Sequence, residues 1–318
     1  MSANTRWAPV PPGSSRWLLP TNPRQAAANS VHIYHPVTVK GLLGWEAARA
    51  AAALGGFRLL PGDSAPPMEV TDMLSDNAIG YRSLAVAKAN HPARFLVLLL
   101  DGSWHRTGVA KMAFDEQGRV ALRKEATAIA EATTVLTGHI RPPRVESVAD
   151  GLLVLEPVDW LPRVAPWRLP GEVARELGAY SKVASAAGGP DGYAAHGDFA
   201  PWNLLRTRDG WVLLDWEHSS RSRPPFFDLW HYLLQAHSLL GRPSTRALVE
   251  ALKERRGWVR TAMVEYARGC ERQPEEVPNF FDDYIRASAD QLAGKSENER
   301  HGLSARTRLQ RQITGLQG

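Results

Sequence analysis

Three apolar segments set close together between residues 84 and 114 leave the chain few ways to fold. Leu84–Ala87, Phe95–Leu100 and Gly108–Phe114 each have strand length and composition. The turn signals Asn90-His91-Pro92 and Asp101-Gly102 join them, so the three strands must lie side by side. A helix is predicted next over Val120–Leu136, where Leu122, Ala126, Ile129, Thr133 and Leu136 recur at three- and four-residue spacing. Gly151–Leu155 reads as one more buried strand, and from there helical patterns prevail: Gly171–Ala187, Thr245–Gly269 and Val277–Leu292.

Ahead of the strands, residues 1–30 are rich in Pro, Ser, Asn and Ala without periodicity, which predicts an irregular arm packed through Trp7 and Trp17. Val31–His35 alternates as a strand does, and Leu42–Leu54 predicts an Ala-rich helix stopped by Gly55-Gly56. His32 and His35 read as a surface feature of that strand and not as metal ligands, since no other ligand cluster accompanies them.

Composition narrows the function classes. A chain of 318 residues that is 44% hydrophobic and 22% charged is globular in composition and long enough for two lobes. The run Phe95–Leu100 is far too short to span a bilayer, and Met1–Pro12 lacks the apolar stretch of a signal peptide. A soluble, cytoplasmic protein with no membrane partner is expected. The single Cys270 excludes an internal disulfide and any Cys-rich metal site. Of the net charge of +5, residues 295–318 contribute +3, so a basic tail accounts for most of it and no nucleic-acid partner is expected.

Chemistry concentrates in His196-Gly197-Asp198-Phe199-Ala200-Pro201-Trp202-Asn203 and, after a predicted hairpin over Leu204–Leu214, in Asp215-Trp216-Glu217. An Asp able to take a hydroxyl proton lies five residues before an Asn able to hold Mg²⁺, and a second Asp ends an apolar strand where it can bridge metal and phosphates. The turn from Asp198 to Asn203 can aim both side chains at one site, and the hairpin returns Asp215 to face them.

This segment resembles the catalytic loop and metal-binding Asp of the aminoglycoside phosphotransferase and choline kinase group, small-molecule kinases with a protein-kinase-like fold. Gly197 stands where protein kinases carry Arg, and Asp215-Trp216-Glu217 stands in place of Asp-Phe-Gly. Pro224-Pro225-Phe226-Phe227-Asp228-Leu229 resembles the group's D-P-x-x-D-L segment with its first Asp missing. The likeness runs from about Leu84 to Tyr284. It implies an α+β, two-lobed fold: a small antiparallel β lobe with one helix, a larger mostly helical lobe, and here an N-terminal strand–helix extension. The expected division is 1–83 for the arm and extension, 84–158 for the small lobe, 159–294 for the large lobe and 295–318 for the tail.

The resemblance also implies roles. Asp198 would act on the acceptor hydroxyl, with His196 supporting the loop. Asn203 and Asp215 would hold Mg²⁺, with Glu217 either supporting those ligands or acting as an additional one. Lys111, at mid-strand where an ammonium is costly unless it meets an anion, would reach the α/β-phosphates of ATP or another nucleoside triphosphate. Glu125 would pair with Lys111, with Glu131 as its competitor, and is expected close enough to the surface to be rehydrated. Backbone groups of Glu156 and Val158 would meet adenine. Asp228 would accept backbone amides of the catalytic loop or cap its helix. Glu265, Asp282 and Asp283 are candidates to hold an amine-bearing acceptor. The turn Ala89–Arg94 has no glycine, unlike the Gly-rich loop of protein kinases. The implied activity is ATP- and Mg²⁺-dependent transfer of the γ-phosphoryl group to a hydroxyl of an amino sugar, sugar or amino alcohol. The alternatives are an inactive pseudokinase acting as a binding module and a protein kinase, the latter disfavoured because no A-P-E-like segment lies between Asp215 and Asp228.

Overall fold

The computed structural model describes residues 5–12, 16–61, 64–88, 93–185, 192–253 and 256–292. In chain order the elements are β1 (Trp7–Pro9), β2 (Trp17–Pro20), α1 (Arg24–Ser30), α2 (Val39–Ala53), α3 (Met68–Asp76), β3 (Ser83–Lys88), β4 (Arg94–Leu100), β5 (Arg106–Ala113), α4 (Glu116–Val135), β6 (Ile140–Arg141), β7 (Val145–Ala149) and β8 (Leu152–Leu155). They continue with α5 (Gly171–Ser185), β9 (Tyr193–Ala195), β10 (Leu204–Arg206), β11 (Trp211–Leu213), β12 (Ser220–Arg223), α6 (Phe227–Leu240), α7 (Thr245–Lys253), α8 (Gly257–Gly269) and α9 (Phe281–Leu292). The chain is therefore α+β, in two units: Met1–Ile129 with Pro143–Asp159, and Ala130–Pro142 with Trp160–Gly318.

The first unit is built on a seven-stranded sheet of order β1-β2-β3-β4-β5-β8-β7, antiparallel throughout. Its alternating side chains decide which face each residue serves. Val70 and Leu74 of α3 pack with Leu84, Val86, Val97, Leu99, Ala110, Met112, Leu152 and Val154 on one face. Fully burying a side chain of this size contributes about 1.5–3 kcal/mol, so this cluster is a main source of the unit's stability. Because Ala110 and Met112 point into it, Lys111 between them must point to the other face, with Leu96 and Leu153 as its cross-strand neighbours.

The second unit is mostly helical. α5 packs lengthwise on α8, β10 and β11 form the expected hairpin with Leu204 opposite Leu213, and β11 also pairs in parallel with β6. The stripe predicted for α5 is buried at Val173, Leu177 and Tyr180.

Four expectations are corrected. Val31–His35 is not a strand: Val31–Ile33 form a 3₁₀ turn that tightens the end of α1, as helix C-termini often do, and Tyr34 is already extended before Pro36. The strands of the N-terminal region lie instead in the arm, where β1 and β2 form a hairpin that extends the sheet through Trp17↔Ala87. Pro9 is compatible with this because β1 is the edge strand. The single helix predicted over Thr245–Gly269 is two, since Gly257 sits at φ +85° and Arg256 before it is extended. Val277–Leu292 begins as a 3₁₀ turn, Pro274–Phe280, because Pro278 has no N–H to continue an α-helix, and only Phe281–Leu292 is α-helical. The basic tail lies outside the described residues. Among the described residues no helix is long and apolar enough to cross a membrane.

Candidate active site

The loop after β9 is fixed through its backbone before any side chain is aimed. Asp228, in the first turn of α6, accepts the N–H of His196 on Oδ2 (2.7 Å) and that of Gly197 on Oδ1 (2.9 Å). Of the two roles expected for Asp228, the structure thus displays the contact to the loop. Gly197 has φ +86°, and a Cβ there would collide with the carbonyl oxygen of His218, so only glycine fits this turn. His196 is buried and packs edge-on against Trp216 at 4.7 Å. Its Nε2 lies 2.9 Å from the Leu214 carbonyl and its Nδ1 accepts the Asp198 N–H at 3.3 Å, so the ring carries its proton on Nε2. Burial lowers its pKa to about 4, which keeps it neutral. It ties the two halves of the segment together.

Asn203 turns its side-chain Nδ2 to the Asp198 carbonyl (2.8 Å) and to Asp198 Oδ2 (3.1 Å). The hairpin then brings Leu214 back, its N–H donating to the Asn203 carbonyl at 2.8 Å, and Asp215 follows at φ +68°. A left-handed conformation at a non-glycine residue costs about 1–3 kcal/mol and persists where its surroundings impose it, often at functional sites. Arg163 holds the loop from outside, donating to the carbonyls of Pro201 (3.3 Å) and Leu204 (3.2 Å) with its guanidinium over the Trp211 ring.

The donor set suits a hard cation. With Nδ2 of Asn203 engaged, Oδ1 is the atom left for a metal, and Asp215 supplies a carboxylate two residues before Glu217. Mg²⁺ needs only one or two protein ligands when phosphates and water complete its shell. Among the described residues no group of three or more His, Cys, Asp or Glu is arranged to hold a metal. Glu217 lies 3.5 Å from Nε2 of His218.

One site residue was not foreseen. His231 of α6 places Nε2 3.1 Å from Asp198 Oδ1, with its side chain only 6% exposed. The acids named for an amine-bearing acceptor are engaged elsewhere in part: Glu265 pairs with Arg175 and Arg268, and Asp283 with Arg286.

In the first unit, Lys111 Nζ meets Glu125 Oε1 at 2.6 Å. The competitor Glu131 is taken by Arg221 at 2.6 Å. Glu125 is 1% exposed, so the expectation of a near-surface carboxylate is wrong: the buried stripe of α4 runs through Glu125, Ala128, Ile129 and Ala132 to Leu136, whereas Thr133 of the expected stripe is exposed and Leu122 and Ala126 are half-buried. The Glu156 N–H donates to the Arg144 carbonyl (2.9 Å) and its carboxylate accepts the Arg144 N–H (3.0 Å), so that N–H is already used. Val158 follows in irregular, half-buried chain.

Burial pushes the Asp228 carboxyl up to about 7, against the His196 and Gly197 N–H groups and Arg223. Between its ordinary value of 3.8 and about 7 the folded chain therefore holds a proton that the unfolded chain has released, and this contribution makes stability fall as pH rises. His196 acts oppositely: the unfolded ring takes a proton below 6.5 that the folded ring refuses until about 4, so its contribution is lost as pH falls. Asp228→Asn is expected to cost about 1–3 kcal/mol, because an amide offers one acceptor where two buried N–H groups need two. It should also make stability rise more steeply with pH than in the wild type, from about 4 to about 6.5, since only the opposing contribution is removed. Urea midpoints across that range check both; a slope equal to the wild type's would mean that Asp228 does not titrate there.

No curated protein matches this sequence. Among solved structures the chain is similar to the streptomycin–ATP ternary complex of APH(2")-IIa, at 11% identity and a TM-score of 0.47 over 77% of this chain and 97% of that one. ADP-bound aminoglycoside phosphotransferase APH(2'')-Ib gives 12% identity, a TM-score of 0.47 and the same coverage. Macrolide 2'-phosphotransferase MphH from Brachybacterium faecium gives 14% identity and a TM-score of 0.45 over 74% of this chain and 97% of that one. Residues 167–268, which hold His196, Asp198, Asn203, Asp215, Asp228 and His231, match the model of the phosphotransferase enzyme family (APH), so the segment that carries the site is similar to that family.

Proposed function

We propose that the protein is a protein-kinase-like phosphotransferase that moves the γ-phosphoryl group of ATP, or another nucleoside triphosphate, to a hydroxyl of a small molecule such as an amino sugar, sugar or amino alcohol. The observation that carries this reading is the Asp198 carboxylate held on one oxygen by Asn203, on a loop clamped by Asp228, within the segment similar to phosphotransferases. Asp198 orients the acceptor hydroxyl and takes its proton as the oxygen attacks phosphorus. His196 keeps the loop and Leu214 in register. Lys111, oriented by Glu125, neutralises phosphate charge. Asn203 and Asp215, with Glu217 beside them, would hold Mg²⁺, which when bound supplies charge neutralisation at the β- and γ-phosphates. Phosphoryl transfer of this type is positioning plus electrostatics, and these side chains provide both.

The reading is tested by ADP release from MgATP against a panel of amino sugars, sugars and amino alcohols, with GTP in parallel. No turnover with any acceptor, despite nucleotide binding, would favour the inactive binding module. Asp215→Asn is the informative variant for the metal, because Asn tolerates the left-handed backbone that Ala would resist. It is expected to weaken Mg²⁺-dependent nucleotide binding and turnover together. Calorimetric titration with and without Mg²⁺ checks this, and wild-type MgATP affinity in the variant would place the metal elsewhere.

A further inference from the structure

One face of α6 meets the catalytic loop through Asp228 and His231, with Gln235 behind His231. Asp228, His231 and Gln235 are spaced i, i+3 and i+7, which stacks them on one side of a helix. Asp228 holds the loop backbone, as described. His231 Nε2 stands 3.1 Å from Asp198 Oδ1, while the Gln235 amide nitrogen is 3.2 Å from the same Nε2. On the other side of the ring, Nδ1 lies 3.4 Å from the Tyr284 hydroxyl of α9, and the ring stacks on Phe227 at 18° between planes. A carboxylate facing Nε2 calls for a proton there; the Tyr284 hydroxyl can then donate to Nδ1, and the Gln235 amide, turned by half a rotation, presents its oxygen.

We propose that His231 is a positioning residue for Asp198: its Nε2–H donates to Oδ1 while Asn203 donates to Oδ2, so that the carboxylate plane is pinned at both oxygens and its remaining lone pairs face the acceptor hydroxyl. This rests on the phosphotransferase reading above. One donor would leave the carboxylate free to turn about its last torsion, which is broad and roughly two-fold; two donors on different oxygens select one orientation. Apolar packing alone would not require a nitrogen at this place. In the run Phe227-Asp228-Leu229-Trp230-His231-Tyr232-Leu233-Leu234, apolar or aromatic apart from Asp228 and His231, Asp228 holds the loop backbone and His231 reaches the reacting carboxylate.

The test compares wild type, His231→Phe and His231→Gln in the full chain, reading kcat and KM for MgATP with the best acceptor of the panel, together with Tm. Phe fills the ring's space without a donor; Gln places an amide N–H about where Nε2–H was. His231→Phe is expected to lower kcat roughly ten- to a hundredfold at unchanged KM for MgATP, the scale of a misplaced catalytic group. His231→Gln should restore most of kcat. Wild-type kcat in His231→Phe, or equal losses in both variants, overturns the proposal. Should His231→Phe not fold, ring ¹⁵N signals of the wild type still decide: the His231 Nε2–H resonance must shift in Asp198→Ala, and an unmoved signal overturns the pairing. If the wild type turns over no MgATP with any acceptor, the phosphotransferase reading fails, while the ring signal reports on the His231–Asp198 contact independently.

Discussion

Asp198→Asn is expected to retain its fold and its MgATP affinity within about twofold while losing turnover by roughly a thousandfold, within the range of general-base removal. The substitution keeps shape and removes charge and basicity. Two donors face the native carboxylate, Asn203 Nδ2 at 3.1 Å and His231 Nε2 at 3.1 Å. An amide can accept one of them and turns its own NH₂ toward the other, so one buried donor loses its acceptor. That costs about 1–3 kcal/mol and lowers Tm by several degrees in a chain of this size. The backbone clamp by Asp228 is untouched, because it grips His196 and Gly197 and not the Asp198 side chain. Nucleotide titration, a coupled ADP assay and thermal unfolding together read the three effects. If MgATP affinity fell as far as turnover, Asp198 would act on the nucleotide and not on the acceptor.

What the sequence revealed and what it hid have physical reasons. Asp198, Asn203, Asp215 and the hairpin between them lie within eighteen residues, so their spacing and turn chemistry carry the geometry. The Lys111–Glu125 pairing was legible because a lysine between Ala110 and Met112 has one face to choose, and strand alternation chooses it. His231 was not legible: its contact with Asp198 spans 33 residues, and its helix reads as an apolar core element. The only local signal was its three-residue spacing from Asp228. Arg163 lies in an aperiodic stretch, and its carbonyl partners on the loop, Pro201 and Leu204, are 38 and 41 residues away. The β1–β2 hairpin escaped notice because prolines dominate the arm, although an edge strand tolerates them.

Lys111→Met carries the second large effect, and burial determines its form. On the proposed phosphotransferase reading, removing the ammonium from the phosphates is expected to cost about 2–4 kcal/mol of transition-state stabilisation. Each ~1.4 kcal/mol is a factor of ten, so turnover should fall roughly a hundredfold or more. Were Glu125 near the surface, water would take the place of the lost ammonium and Tm would hold or rise. Glu125 is instead 1% exposed, and Lys111 2.6 Å away is 22% exposed at its side chain. Breaking a buried pair from one side typically costs 3–5 kcal/mol, because a charge remains where water cannot reach it. The partial exposure of Lys111 reduces this, and about 2–3 kcal/mol of destabilisation is expected, enough to lower Tm by several degrees. The double variant Lys111→Met with Glu125→Gln separates the two roles. Neutralising the stranded carboxylate should recover most of the lost stability and none of the lost turnover. If the single variant kept wild-type turnover and ATP affinity, Lys111 would not be the nucleotide lysine. If the double variant were no more stable than the single one, the buried charge of Glu125 would not be the source of the loss.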